Sequence, residues 1–199
     1  MAMNRVHQWY CRSGRWRRTV EERLLPWVLG RVDLGGRTLE IGPGYGVTTQ
    51  VLERRAASLT ALEIDPSLAR RLRARTGSTE IVAGDGTTMP FDEAAFSSVV
   101  CFTMLHHVPS PELQDRLFAE AHRVLEPGGV FAGSDSRPSP MFRAAHLGDT
   151  MVPIDPATLA ARLQAAGFTD VRVDTTPRAL RFAAYRATHP HPRRDRRER

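Results

Sequence analysis

The chain of 199 residues contains no lysine; all 28 of its cationic side chains are arginines. A coding bias accounts for this as well as a need for arginine in phosphate recognition does. Cysteine is nearly absent too. Cys11 and Cys101 are far apart and show no metal-type spacing, which argues against a disulfide framework and against a zinc site, so no metal is expected. No apolar run approaches the ~20 residues needed to cross a bilayer. The opening MAMNRVHQWYCRSGRWRR lacks the apolar stretch that follows the basic start of a secretory signal. These absences lead to the expectation of a cytoplasmic protein with reduced thiols. The length suits one well-buried domain, and no internal repeat is visible.

The net charge is +6, with 41% hydrophobic and 25% charged residues. The charge is concentrated at the ends. Residues 1–31 carry net +5 and the Pro- and Arg-rich stretch 189–199 carries net +3, which leaves about −2 for 32–188. The body is therefore not basic, as a body built to hold nucleic acid would be. The composition divides the chain into an aromatic N-terminal helical segment (1–31), a folded body (32–188) and a tail (189–199) expected to be disordered.

From Arg37 onward, short β-rich runs alternate with helical patterns, the signature of an α/β domain with a mainly parallel sheet. Strands are expected at 37–41, 59–63, 79–82, 98–102, 129–134, 170–174 and 180–186. Helices are expected at 47–55, 66–75, 111–125 and 156–166. The last two strands have no helix between them and should pair antiparallel at one side of the sheet. Residues 135–155 read as a long irregular loop on the cleft side, suited to acceptor specificity.

The first strand runs into LEIGPGYG, with Gly42, Gly44 and Gly46 as G-x-G-x-G and Pro43 stiffening the turn. A glycine turn between a first strand and its helix admits a ligand close to the backbone, but the spacing alone is equally compatible with an empty turn. Its companions carry more weight. Glu63 ends the second strand, where a carboxylate can accept from both hydroxyls of a ribose. Asp85, in GDGTTMPF, follows the third strand. FSSVVCFTMLHHV ends the fourth, and LEPGG turns into the fifth.

In this order the segments resemble the class I S-adenosylmethionine-dependent methyltransferases, particularly the small-molecule enzymes with LHHV-like and L-x-P-G-G segments. The resemblance covers Leu39 to Ser134 and, by topology, continues to about Arg186. It implies a Rossmann-like, seven-stranded, mainly parallel sheet of order 3-2-1-4-5-7-6, with the last strand antiparallel and helices on both faces. It implies that Glu40 and the backbone of Gly42, Pro43, Gly44 and Gly46 hold the methionine moiety of S-adenosylmethionine. Glu63 would take the ribose, Ile64 would lie on the adenine, and Asp85 with the Gly86 amide would take the adenine amino group. Cys101 and Phe102 would line the methionine side. The physical chemistry agrees, because an acid such as Glu40 suits an ammonium or sulfonium and would repel a pyrophosphate. Two departures stand out: Ser97 occupies a position after Phe96 that is often acidic in the family, and Asp65 competes with Glu63 for the ribose role. A helix cap before Pro66 is the preferred reading of Asp65.

Methyl transfer from a sulfonium needs alignment, exclusion of water and, for a protonated acceptor, a base. His106 is the candidate base, with His107 beside it; the alternative is that these rings only pack or face solvent. Trp9, Tyr10 and Trp16 are candidates for a lid over the cofactor, with simple packing on the sheet as the alternative. The expected activity is methyl transfer to an O, N or C atom of a small-molecule acceptor, by a monomer or homodimer.

Three other readings remain. An rRNA or DNA methyltransferase is suggested by the stretch from LEIGPGYG to ARRL and by the Arg-rich ends. The Asn-Leu-Pro-Tyr type segment such enzymes carry is absent, however, with CFTMLHH in its place. A lipid or quinone methyltransferase touching an anionic bilayer through those same ends is the second, and a binding-only module is the third.

Overall fold

A computed structural model of the chain describes Trp9, residues 11–145 and residues 148–188. Tyr10 and the tail expected to be disordered lie outside the described residues. Seven strands form one sheet: β1 Thr38–Ile41, β2 Leu59–Glu63, β3 Glu80–Ala83, β4 Phe96–Phe102, β5 Leu125–Ser136, β6 Thr169–Thr175 and β7 Ala179–Tyr185. Their order is β3-β2-β1-β4-β5-β7-β6. The first five run parallel, and β7 is antiparallel to both β5 and β6. Every residue of β1 and β2 is buried, as expected of central parallel strands covered on both faces.

Helical segments precede and connect the strands: α1 Gly14–Thr19, a π-helical turn Val20–Leu24, α2 Leu25–Leu29, α3 Val47–Leu52, α4 Pro66–Arg73, α5 Pro111–Val124, α6 Pro140–Ala145 and α7 Pro156–Ala165. Three of them begin alike. Asp65, Ser110 and Asp155 each cap a helix whose first residue is proline, their side chains accepting first-turn amides that have no intrahelical partner. The cap reading of Asp65 is thus what the structure shows: its carboxylate accepts from the amides of Ser67 and Leu68.

The core has one large layer on each face of the sheet. On one side Phe118, Leu117 and Leu159 of α5 and α7 meet Phe131 and Phe182 of the sheet. On the other, Val20, Leu25, Val28 and Leu29 of the N-terminal helical run meet Leu52, Val100, Phe102 and Val130. The part of the N-terminal segment from Val20 to Leu29 is therefore built into the core. Trp16 and Trp27 pack, half-buried, against it, whereas Trp9 is 72% exposed.

The stretch 135–155 differs from the irregular loop expected of it. Asp135 and Ser136 complete β5, paired with Leu180 and Ala179 of β7, and Pro140–Ala145 is helical. Proline at the first helical position supplied the signal for that helix, as it did for the other three.

Candidate active site

The glycine turn, Glu63, Asp85 and the two histidines gather where the parallel strands end, whereas LEPGG forms the start of β5 at the opposite edge of the sheet. Gly42, Gly44 and Gly46 all have positive φ, of +66°, +56° and +78°. At Gly42 an added Cβ would lie 3.1 Å from the Met104 side chain, and at Gly46 it would lie 2.4 Å from Leu72 Cδ2. The loop thus needs glycine both for its backbone and for close approach of its neighbours.

Glu40 is 1% exposed in the middle of this sheet. Its Oε1 accepts from the hydroxyl of Thr48 in the first turn of α3. Its Oε2 is buried and has no hydrogen-bond partner among the described residues. Burial pushes the Glu40 carboxyl up to about 7, against the pull of the Thr48 and Thr49 hydroxyls.

Glu63, at the end of β2, is also buried. Its Oε2 accepts from the Gly44 amide at 2.9 Å and its Oε1 from the Asp65 amide at 2.9 Å. Burial raises its pKa and these two amides oppose the rise. Ile64 follows with 62% of its surface exposed, unusual for an isoleucine beside a buried acid. Asp85 accepts from the amide and the hydroxyl of Thr87, which fixes the loop after β3. Gly86 lies close to Ile41 and Leu117; an added Cβ would come within 3.2 Å of each.

Cys101 and Phe102 are both buried, one in each core layer. Their side chains serve packing, and the backbone at the end of β4 is what these positions offer the cleft. Burial, with Asp135 and Glu40 nearby, raises the Cys101 thiol pKa well above its ordinary value, so it is no nucleophile.

Beyond β4, Thr103 takes a left-handed conformation (φ +51°) and its amide donates to the Ser134 carbonyl. A single 3-10 turn, Leu105–His107, then carries both histidines. His106 is 2% exposed and Asp135, at the end of β5, is fully buried. The His106 amide donates to Asp135 Oδ2 at 2.8 Å, and the ring Nδ1 lies 2.5 Å from Oδ1. Phe142 of α6 meets the His106 ring edge to face at 5.1 Å between centroids. His107 is partly buried, its Nδ1 lying 3.3 Å from the Thr150 carbonyl. Sequence reasoning missed Asp135, Thr48 and Met104. For Asp135 the available signal was an acid one position beyond an apolar strand run.

The chain is similar to known methyltransferases. The profile of a family described as "Methyltransferase domain" matches residues 39–133. An uncharacterized methyltransferase of Synechocystis is 30% identical over 163 residues, covering 76% of each chain. The chain belongs to the class I S-adenosylmethionine-dependent methyltransferases. Among other methyltransferases, the ubiquinone biosynthesis O-methyltransferase of Xanthomonas oryzae is 32% identical over 137 residues, covering 62% of this chain. The chain spans about half the length of that relative, 54%. The fold is also that of the putative methyltransferase solved in complex with the Trm112 activator of Haloferax volcanii, with a TM-score of 0.73 at 16% identity, over 96% of this chain and all of that one.

The cofactor this family implies is S-adenosylmethionine. The residues present fit it. Glu40 Oε2 is buried without a hydrogen-bond partner, as an atom that would face a cation could be, and the exposed Ile64 beside Glu63 offers an apolar surface on which a flat ring would fit. Among the described residues no helix is long and apolar enough to cross a membrane, and no group of three or more His, Cys, Asp or Glu could hold a metal ion.

Proposed function

We propose that this methyltransferase acts on a hydroxyl oxygen of a small-molecule acceptor, with His106 as general base and Asp135 as the residue that positions it. The observation carrying this reading is the buried His106–Asp135 pair at the ends of β4 and β5. Oxygen as the acceptor atom is also supported by the O-methyltransferase name of the Xanthomonas relative, whose place in ubiquinone biosynthesis favours a phenolic or quinol-type ring.

The bound cofactor supplies an activated methyl group on a sulfonium. What remains for the protein is to hold that group, align the acceptor, exclude water and remove one proton. The buried Glu40 carboxylate and the glycine turn hold the methionine end, Glu63 takes the ribose hydroxyls, and Ile64, Asp85 and the Gly86 amide take the adenine. The Nδ1 proton of His106 is assigned to the bond with Asp135 and the role of base to Nε2. This nitrogen would take the hydroxyl proton of the acceptor, whose oxygen would receive the methyl group that bound S-adenosylmethionine supplies. Asp135 fixes the tautomer and stabilises the imidazolium that forms.

The alternative of an RNA or DNA acceptor has less support, since the body carries about −2 charge and lacks the base-gripping segment. The test is transfer of labelled methyl to a panel of catechols, phenols and hydroxylated quinols by the wild type and by His106→Ala. Activity on at least one of these, reduced by roughly 10²–10⁴ in the variant with cofactor affinity retained, is the expected result. Equal turnover by the two proteins removes His106 from the mechanism.

A further inference from the structure

The described arginines differ in what they meet. Six of them pair with carboxylates: Arg37 with Glu126, Arg54 with Glu21, Arg123 with Glu120, Arg162 with Asp115, Arg181 with Asp174 and Arg186 with Glu93. Arg73 donates twice to the Ile81 carbonyl. Arg12, Arg71 and Arg75 do none of this; among the described residues they have no carboxylate partner. Instead they line one cavity of about 250 Å³, together with Gly44 and Tyr45 of the glycine turn.

The sequence explains how they converge. Leu68, Arg71, Leu72 and Arg75 recur at helical spacing along α4 and just past its end, so they share one face. That face is pressed on the glycine turn, as the 2.4 Å approach of Leu72 to a Cβ at Gly46 shows. Arg12 comes from the opposite wall, ahead of α1, its guanidinium 5.8 Å from the Tyr45 ring centroid. The Tyr45 hydroxyl senses two of them: burial raises its pKa, while Arg12 and Arg71 pull it down. The acid facing the same group is Asp65, which is committed to capping α4. Three like charges brought together around one cavity repel one another, and an anion with several acceptor oxygens relieves that repulsion.

We propose that this cavity is a binding site for a phosphate group, distinct from the methyl-transfer site and separated from it by the glycine turn. The guanidinium forks of Arg12, Arg71 and Arg75 and the Tyr45 hydroxyl recognise its oxygens. The phosphate belongs either to a soluble phosphorylated ligand or to a lipid head group, and Trp9, exposed on the same N-terminal segment as Arg12, suits the second source. The site does not depend on which acceptor is methylated.

The test is calorimetric titration of the full-length protein with inorganic phosphate at constant ionic strength, with acetate as control. Wild type, the double variant Arg71→Ser with Arg75→Ser, and Arg12→Ser on the opposite wall are compared. Saturable phosphate binding by the wild type, weakened about tenfold or more in both variants, is expected. Affinity for S-adenosylmethionine should be unchanged in all three, which separates this proposal from the cofactor assignment and verifies folding. Sedimentation with phosphatidylglycerol and phosphatidylcholine vesicles then identifies the source. Arginine-dependent capture by phosphatidylglycerol indicates a lipid head group, and phosphate binding without capture indicates a soluble ligand. No saturable phosphate binding, or equal binding by wild type and variants, overturns the proposal.

Discussion

Glu63 is tied to Gly44 across the cofactor turn: the Gly44 amide donates to Oε2 at 2.9 Å, while Oε1 takes the Asp65 amide. One carboxylate thus joins the end of β2 to the glycine turn and to the start of α4. It presets the shape of the turn before any ligand arrives. Glu63→Ala removes both acceptors and leaves two amides to find new partners, at about 1.5–3 kcal/mol for hydrogen bonds to a charged group. Lower thermal stability together with loss of S-adenosylmethionine affinity is expected in a melting series with and without ligand. Loss of affinity at unchanged stability would mean that the turn does not depend on this tie.

Glu40 makes a prediction about pH. Its carboxyl titrates at about 7 in the folded chain against an ordinary 4.5, so the folded chain binds this proton more tightly than the unfolded one. Its favourable contribution is complete below 4.5 and is lost as pH rises to about 7, amounting to roughly 3 kcal/mol across that window. A bound ammonium favours the ionised form. Cofactor affinity should therefore rise as pH is raised through 7, with proton uptake by the buffer, and Glu40→Gln should abolish both effects. Calorimetry in two buffers of different ionisation enthalpy reads the proton directly; no released proton near pH 6.5 contradicts a contact between Glu40 and the cation.

Asp135 is argued to act through His106, so its conservative variant is the informative one. Asp135→Asn keeps the size of the side chain but permits the wrong imidazole tautomer. A fall in kcat of roughly 10²–10⁴ with KM for the cofactor unchanged is expected. It should be accompanied by a shift in the pH–rate profile, which a purely structural loss of stability would not produce.

Gly42 has φ +66° and sits under Met104. Gly42→Ala adds the left-handed penalty of about 1–2 kcal/mol and crowds the Met104 chain. A lower melting temperature is expected, with further loss of cofactor affinity. Restoration of neither by Met104→Ala would identify backbone strain, and not crowding, as the cause.

Much of this was legible in the sequence because it is local. Short β-rich runs marked β1 and β2, and the Asp65–Pro66 pair marked a helix start. The glycine turn announced itself through spacing, and the order of five segments pointed to the family. What was not legible depends on pairs distant in the chain. His106 meets Asp135 only because β4 and β5 are adjacent and parallel, and Gly44 meets Glu63 only because β1 and β2 are. The arginine cavity needs an N-terminal residue to fold back against α4. The π-helical turn Val20–Leu24 has no sequence signal that distinguishes it from the α-helix on either side.

The central claim is that the turn after β1, with Glu40 and Glu63, is an S-adenosylmethionine site and not a dinucleotide site. Titrating the wild-type protein with S-adenosylmethionine and, separately, with NAD tests it most directly. Saturable binding of the first, weakened in both Glu40→Gln and Glu63→Ala, with no binding of the second, is the predicted result. Failure to bind S-adenosylmethionine, or undiminished affinity in both variants, would contradict it.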